Sequence, residues 1–180
     1  MLNKKMMSRT SLILLLCVLM AVSVSKAAPI DRPITLFTTR PVPTGNLLIA
    51  QSDCIVAVHL DGHYMSWPTG KRLPSGARLV NSRQILHRLR VLKGSAPDAL
   101  LTTGIRPLPE PHDPLNKLYT GPLADGDYLL FLNHYSRTDA QLNGGFSAVY
   151  PIYQGRTIAL EEGFPSLGGK TLDEVAQLLQ

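Results

Sequence analysis

Tyr128-Leu129-Leu130-Phe131-Leu132 is the stretch on which the fold turns, an unbroken apolar run entered through the turn signal Asp125-Gly126. With no polar alternation, it reads as a central β-strand covered on both faces. Upstream, Leu47 to Leu60 is similarly apolar and β-branched, and Cys54-Ile55-Val56-Ala57-Val58 within it predicts a buried strand with Cys54 inside. Asp61-Gly62 is a two-residue hairpin signal leading into His63 to Trp67. Pro68, Gly70, Pro74 and Gly76 then mark a loop. Arg78 to Leu92 alternates, with Leu79, Ile85, Leu89 and Val91 in one parity, and predicts a half-buried strand or pair of strands ending at Lys93-Gly94. Ala99 to Thr103 is a short strand. Pro107, Pro109, Pro111 and Pro114 make Gly104 to Pro122 a long irregular surface loop, a length that points to function. Downstream, Asn143-Gly144-Gly145 turns the chain, and Phe146 to Tyr153 with Arg156 to Leu160 reads as a hairpin through Gln154-Gly155. Thr171 as N-cap and Glu174 three residues on form a capping box, with Val175, Leu178 and Leu179 on one face of a short C-terminal helix at 171–180. Short strands with one terminal helix predict a mainly β fold, a small closed or partly closed antiparallel barrel.

The N-terminus carries an address. Lys4, Lys5 and Arg9 precede an apolar run from Ser11 to Val24, and Ser25-Lys26-Ala27 places small residues at a signal-peptidase site. Residues 1–27 therefore read as a signal peptide, and the chain as exported to the periplasm or beyond, with no stable membrane span once they are removed. Their loss takes Lys4, Lys5, Arg9 and Lys26 from 18 basic side chains and leaves 14 against 13 acidic ones. The sequence pI of 9.4 is thus mostly export signal and argues for no general affinity to nucleic acid or anionic membrane. Cys54 is then the sole cysteine, so no internal disulfide forms and packing must supply stability. Pro29, Pro33, Pro41 and Pro43 prevent a regular helix in residues 28–46, which read as an extended arm. Residues 47–180 form one domain.

Several blocks occur in a telling order: Ser52 to Val58, Arg88-Leu89-Arg90-Val91-Leu92-Lys93-Gly94, Gly126 to Leu132, Gly144-Gly145-Phe146 and Val149-Tyr150-Pro151. Over residues 51–160 this order resembles exported bacterial proteins with an OB-like barrel, which are similar in turn to the netrin-like domain of tissue inhibitors of metalloproteinases. The resemblance implies the barrel and little about activity. Inhibitors of that class act through an N-terminal cysteine, whereas the processed chain begins Ala28-Pro29, so that mechanism does not transfer.

Catalytic patterns are missing. No Gly-x-Ser-x-Gly elbow occurs, and Ser147 falls within a predicted strand. His59 and His63 have the spacing of a zinc pair, but a hairpin tip at Asp61-Gly62 would send them to opposite sheet faces. Glu110, His112 and Asp113 are loop polars, and His87 and His134 have no fixed partner in sequence. We expect no enzyme, no cofactor and no metal.

Composition singles out one segment. No acidic residue lies between Asp61 and Asp98, while Lys71, Arg72, Arg78, Arg83, Arg88, Arg90 and Lys93 accumulate there. Arg78, Arg83, Arg88, Arg90 and Lys93 are the candidate partner-binding residues, Arg88 and Arg90 sharing a parity with Arg78 and Arg83 lying in the other. A basic face of this kind suits an anionic partner on an OB-like barrel. Export, and few aromatics other than Tyr64 and Trp67 nearby, argue against nucleic acid. The expectation is an exported, non-catalytic binding module for a protein or an anionic polymer such as a glycan. The alternatives are an inhibitor of an extracellular hydrolase, docking the arm or the long loop, and a metal-dependent enzyme built on His112, Asp113 and His134.

Overall fold

The computed structural model describes residues 35–38, 40–110 and 113–179, all within the compact unit Ile34–Gln180. The signal peptide assigned to residues 1–27, the start of the arm and His112 lie outside these residues. In chain order the elements are α1 (Gly45–Gln51), β1 (Cys54–Leu60), β2 (Met65–Arg72), β3 (Arg78–Ile85), β4 (His87–Lys93) and β5 (Ala99–Arg106). After them come α2 (Leu115–Leu118), β6 (Gly126–His134), β7 (Asp139–Leu142), β8 (Val149–Tyr153), β9 (Arg156–Thr157) and α3 (Leu172–Leu178).

β6 is central, as its apolar run requires. Cys54 to Leu60 of β1 pairs it antiparallel along the whole length, while its other edge is shared between β8, at Tyr128 to Leu130, and β7, at Leu132 to His134. Residues opposite one another share a face, so Val56, Val58, Tyr128 and Leu130 pack on one side and Ile55, Ala57, Leu129 and Phe131 on the other. The second side is closed by Tyr150, whose ring meets Phe131 edge-on at 5.6 Å and whose hydroxyl accepts the Phe164 N–H at 2.8 Å. Both layers are buried, each large side chain contributing about 1.5–3 kcal/mol.

The fold is mainly β and partly closed, with the short C-terminal helix in place. The hydrogen-bonded path β2-β3-β5-β7-β6-β1-β4 is open, yet β3 and β4 are successive halves of one run broken only at Leu86. Leu86 is buried, and its N–H turns to the Asp98 carbonyl. The run bends there, leaving β3 on β5 and laying β4 on β1, so one continuous stretch of chain serves both ends of a sheet that stays open. One pair departs from the antiparallel expectation: β5 and β7 run parallel, Ala99 to Leu101 lying beside Asp139 to Gln141.

Other expectations are corrected. The first part of Leu47 to Leu60 is helix α1, not strand, started by Thr44, whose side-chain oxygen accepts the Leu47 N–H. Asp61-Gly62 is no hairpin tip: β1 pairs β4 and β6, so both of its edges are taken, and β2 pairs only β3. β2 passes through Pro68 and Gly70, which an edge strand tolerates. β5 continues through Gly104 to Arg106, shortening the long loop, and Gly145–Ala148 is a 3-10 turn where a strand was expected. At the C-terminus the capping box forms as read, Glu174 donating its N–H to Thr171 Oγ1 and Glu174 Oε2 accepting the Thr171 N–H at 2.6 Å.

Part of the arm is docked. Phe37 is buried, and its N–H donates to Thr103 Oγ1, which donates in turn to Asn81 Oδ1, while Asn81 Nδ2 donates to the Thr35 carbonyl.

Candidate functional site

A groove of about 990 Å3 opens at the barrel mouth, with Val80 and Ser82 of β3 and Gly104 and Arg106 of β5 in its lining. The chain after β5 builds the facing wall, and two devices hold it close. Gly104 has no side chain, and a Cβ there would stand 2.9 Å from Gly121 Cα, so the wall crosses the strand at backbone contact while the Gly121 N–H donates to the Thr103 carbonyl. Buried Gln84 then treats Leu123 as a strand would: its Nε2 donates to the Leu123 carbonyl at 2.8 Å and its Oε1 accepts the Leu123 N–H at 2.7 Å. Neither device is legible in the sequence, where Gln84 is one polar residue in an alternating strand.

At one side of the groove three arginines stand in a row. Arg72 of β2 lies opposite Arg78 of β3, which lies opposite Arg106 of β5. With Lys71 they line an adjoining cleft of about 480 Å3 that also includes Trp67 and contains no acidic residue. Ser66, Val80 and Arg106 belong to both hollows. Arg106 Nη2 donates to Tyr64 Oη at 2.7 Å, and Arg72 reaches only the Gly76 carbonyl at 3.5 Å. Like charges directly opposite on neighbouring strands repel.

The five basic residues singled out by sequence are dispersed. Arg78 joins the row. Arg83 Nε donates to Asp139 Oδ1 at 2.8 Å, tying β3 to β7. Arg90 pairs with Asp173 of α3 at 2.6 Å, and Lys93 Nζ donates to the Ile49 and Ala50 carbonyls at the end of α1. Arg88 makes no side-chain hydrogen bond or ion pair among the described residues. A register irregularity between β1 and β4, falling between Ala57 and Val58, breaks the simple alternation that would have set Arg88 and Arg90 on one face. Arg72 was noted only as part of the basic segment and Arg106 was missed, because only the pairing of three strands brings them to Arg78.

Histidine and aspartate gather at the β1 end of the barrel. His59 Nδ1 lies 2.8 Å from Asp127 Oδ1, and His87 Nε2 and His63 Nδ1 approach Asp61 at 3.4 and 3.5 Å. The His63 backbone N–H, with the His87 ring, holds the Asp61 carboxyl below its ordinary value. The cluster is exposed, and among the described residues no group of three or more such side chains is arranged to hold a metal. His134 Nε2 sits 3.3 Å from Ser95 Oγ, and Asp113 accepts the Leu115 N–H at the start of α2. Cys54 is fully buried and its thiol is pushed up to about 11, chiefly by that burial. Ser147 spends its hydroxyl on the Gly144 carbonyl at 2.7 Å. Among the described residues no helix is long and apolar enough to cross a membrane.

No protein-family model matches the chain, and no curated protein matches it.

Proposed function

We propose that this chain is an exported, non-catalytic binding module for an anionic polymer, held by Arg72, Arg78 and Arg106 with Lys71. The observation that carries the reading is the arginine row itself. Three like charges stand in cross-strand register in a cleft free of carboxylates, an arrangement that costs the fold energy and is relieved by a bound anion. Neighbouring strands are about 4.8 Å apart, so the row offers charges at a spacing suited to a chain with closely repeated anions. Arg88 stands apart as a further free cation. Support for a non-catalytic role comes from the candidate nucleophiles, Cys54 being buried and Ser147 engaged with backbone. Export rests on the signal-like residues 1–27.

The test is retention of the purified protein on immobilised heparin and on polygalacturonate across a salt gradient. An Arg72→Glu/Arg78→Glu variant should elute at clearly lower salt, while Arg88→Glu shifts little. Equal elution of the double variant and the parent would overturn the reading.

A further inference from the structure

We propose that the groove at the barrel mouth is a second binding site, for an amphipathic anion: a small molecule with one carboxylate, phosphate or sulfate head on an apolar body. It goes beyond the polymer site, with which it shares Arg106.

About 990 Å3 lies at the upper end of the range for small-molecule clefts, roughly 300–1,000 Å3. Val80, Leu108, Leu123, Phe146 and Leu160 line it, and Leu108 is 87% exposed at its edge, an apolar side chain that a bound apolar body would cover. Its wall is held in advance by the paired hydrogen bonds between Gln84 and Leu123 and by the Gly104 to Gly121 approach, so little ordering remains to oppose binding.

Arg106 and Tyr64 define the head position. Because the tyrosine oxygen accepts from the guanidinium, its own O–H hydrogen is left to donate, and the pair presents a cation and a hydroxyl donor to the same groove. No carboxylate pairs with Arg106 among the described residues. A charge-assisted contact to an anionic head is therefore available. The groove also includes Asp125, Glu161 and Glu162, which would repel an anion carried along its length. This disfavours a polyanion lying in the groove and selects a ligand with one charged end.

Isothermal titration of the purified protein with decanoate tests the assignment, with decyltrimethylammonium and acetate as comparators. Decanoate should bind at one equivalent, and the cation of like tail and the bare carboxylate should bind at least about tenfold more weakly. Arg106→Gln should lower decanoate affinity about tenfold and Tyr64→Phe by a smaller factor, as expected for loss of a charged and a neutral hydrogen bond. Leu108→Asp, at an exposed position, should weaken binding while leaving the thermal midpoint in place. Equal binding of decanoate and decyltrimethylammonium, or an Arg106→Gln variant of unchanged affinity, would overturn the proposal. Heparin retention of the same preparations reports the polymer site separately: decanoate binding that survives Arg72→Glu/Arg78→Glu upholds the groove whatever becomes of the polymer reading.

Discussion

Cys54 and Gly94 show how much one position can hold. The Cys54 thiol is 0% exposed and pushed from 9.0 to about 11, burial outweighing the opposing influence of Arg88. Since the folded value is the higher, the neutral thiol stabilises the fold fully below pH 9.0. That contribution is lost as the pH climbs towards about 11, where the unfolded chain gains from ionising first. Denaturation curves between those limits should therefore fall less steeply for Cys54→Ala than for the parent, and a thiol reagent should label the native protein only after unfolding. Gly94 follows β4 at φ +66°, and an added Cβ would overlap the Asp53 carbonyl oxygen. Gly94→Ala should cost about 1–3 kcal/mol in urea denaturation. The sequence marks Lys93-Gly94 as a strand end, but the collision comes from a residue far away in the chain.

At the level of elements, the C-terminal helix and the long loop make opposite cases. Helix α3 is announced by local chemistry, Thr171 and Glu174 three residues apart, and forms as read. Thr171→Ala should lower stability by about 1 kcal/mol in chemical denaturation, through loss of the cap. The loop between β5 and β6 owes its place to Gln84, distant in sequence. Gln84→Leu would strand the Leu123 N–H and C=O in a buried setting, an expected loss of about 1–3 kcal/mol, with hydrogen exchange rising in residues 119–124 before the barrel strands respond. Helix α1 and the extension of β5 were illegible for a related reason. An apolar stretch such as Leu47 to Gln51 fits a short buried helix as well as a strand, and the Thr44 cap is one residue of evidence against a β-branched neighbourhood.

For the whole molecule, binding and stability should pull apart at the arginine row. Arg78→Gln removes a charge flanked by Arg72 and Arg106, so the thermal midpoint should hold or rise slightly, by the equivalent of a few tenths of about 1 kcal/mol, while heparin retention falls. Arg83→Gln should do the reverse, losing stability with its Asp139 ion pair and leaving retention nearly intact. The sequence by itself determined the mainly β class, the central strand at 128–132, the buried cysteine and the capped terminal helix, because each follows from neighbours in the chain: apolar runs, parity, turn residues, a box of four. Only the tertiary structure decided the rest. The bend at Leu86, the parallel pairing of β5 with β7, the groove wall tied to Gln84 and the gathering of Arg72, Arg78 and Arg106 all depend on which strands become partners. Strand partnership is chosen by burying both faces of β1 and β6 at once, a property of the whole barrel that no local pattern encodes.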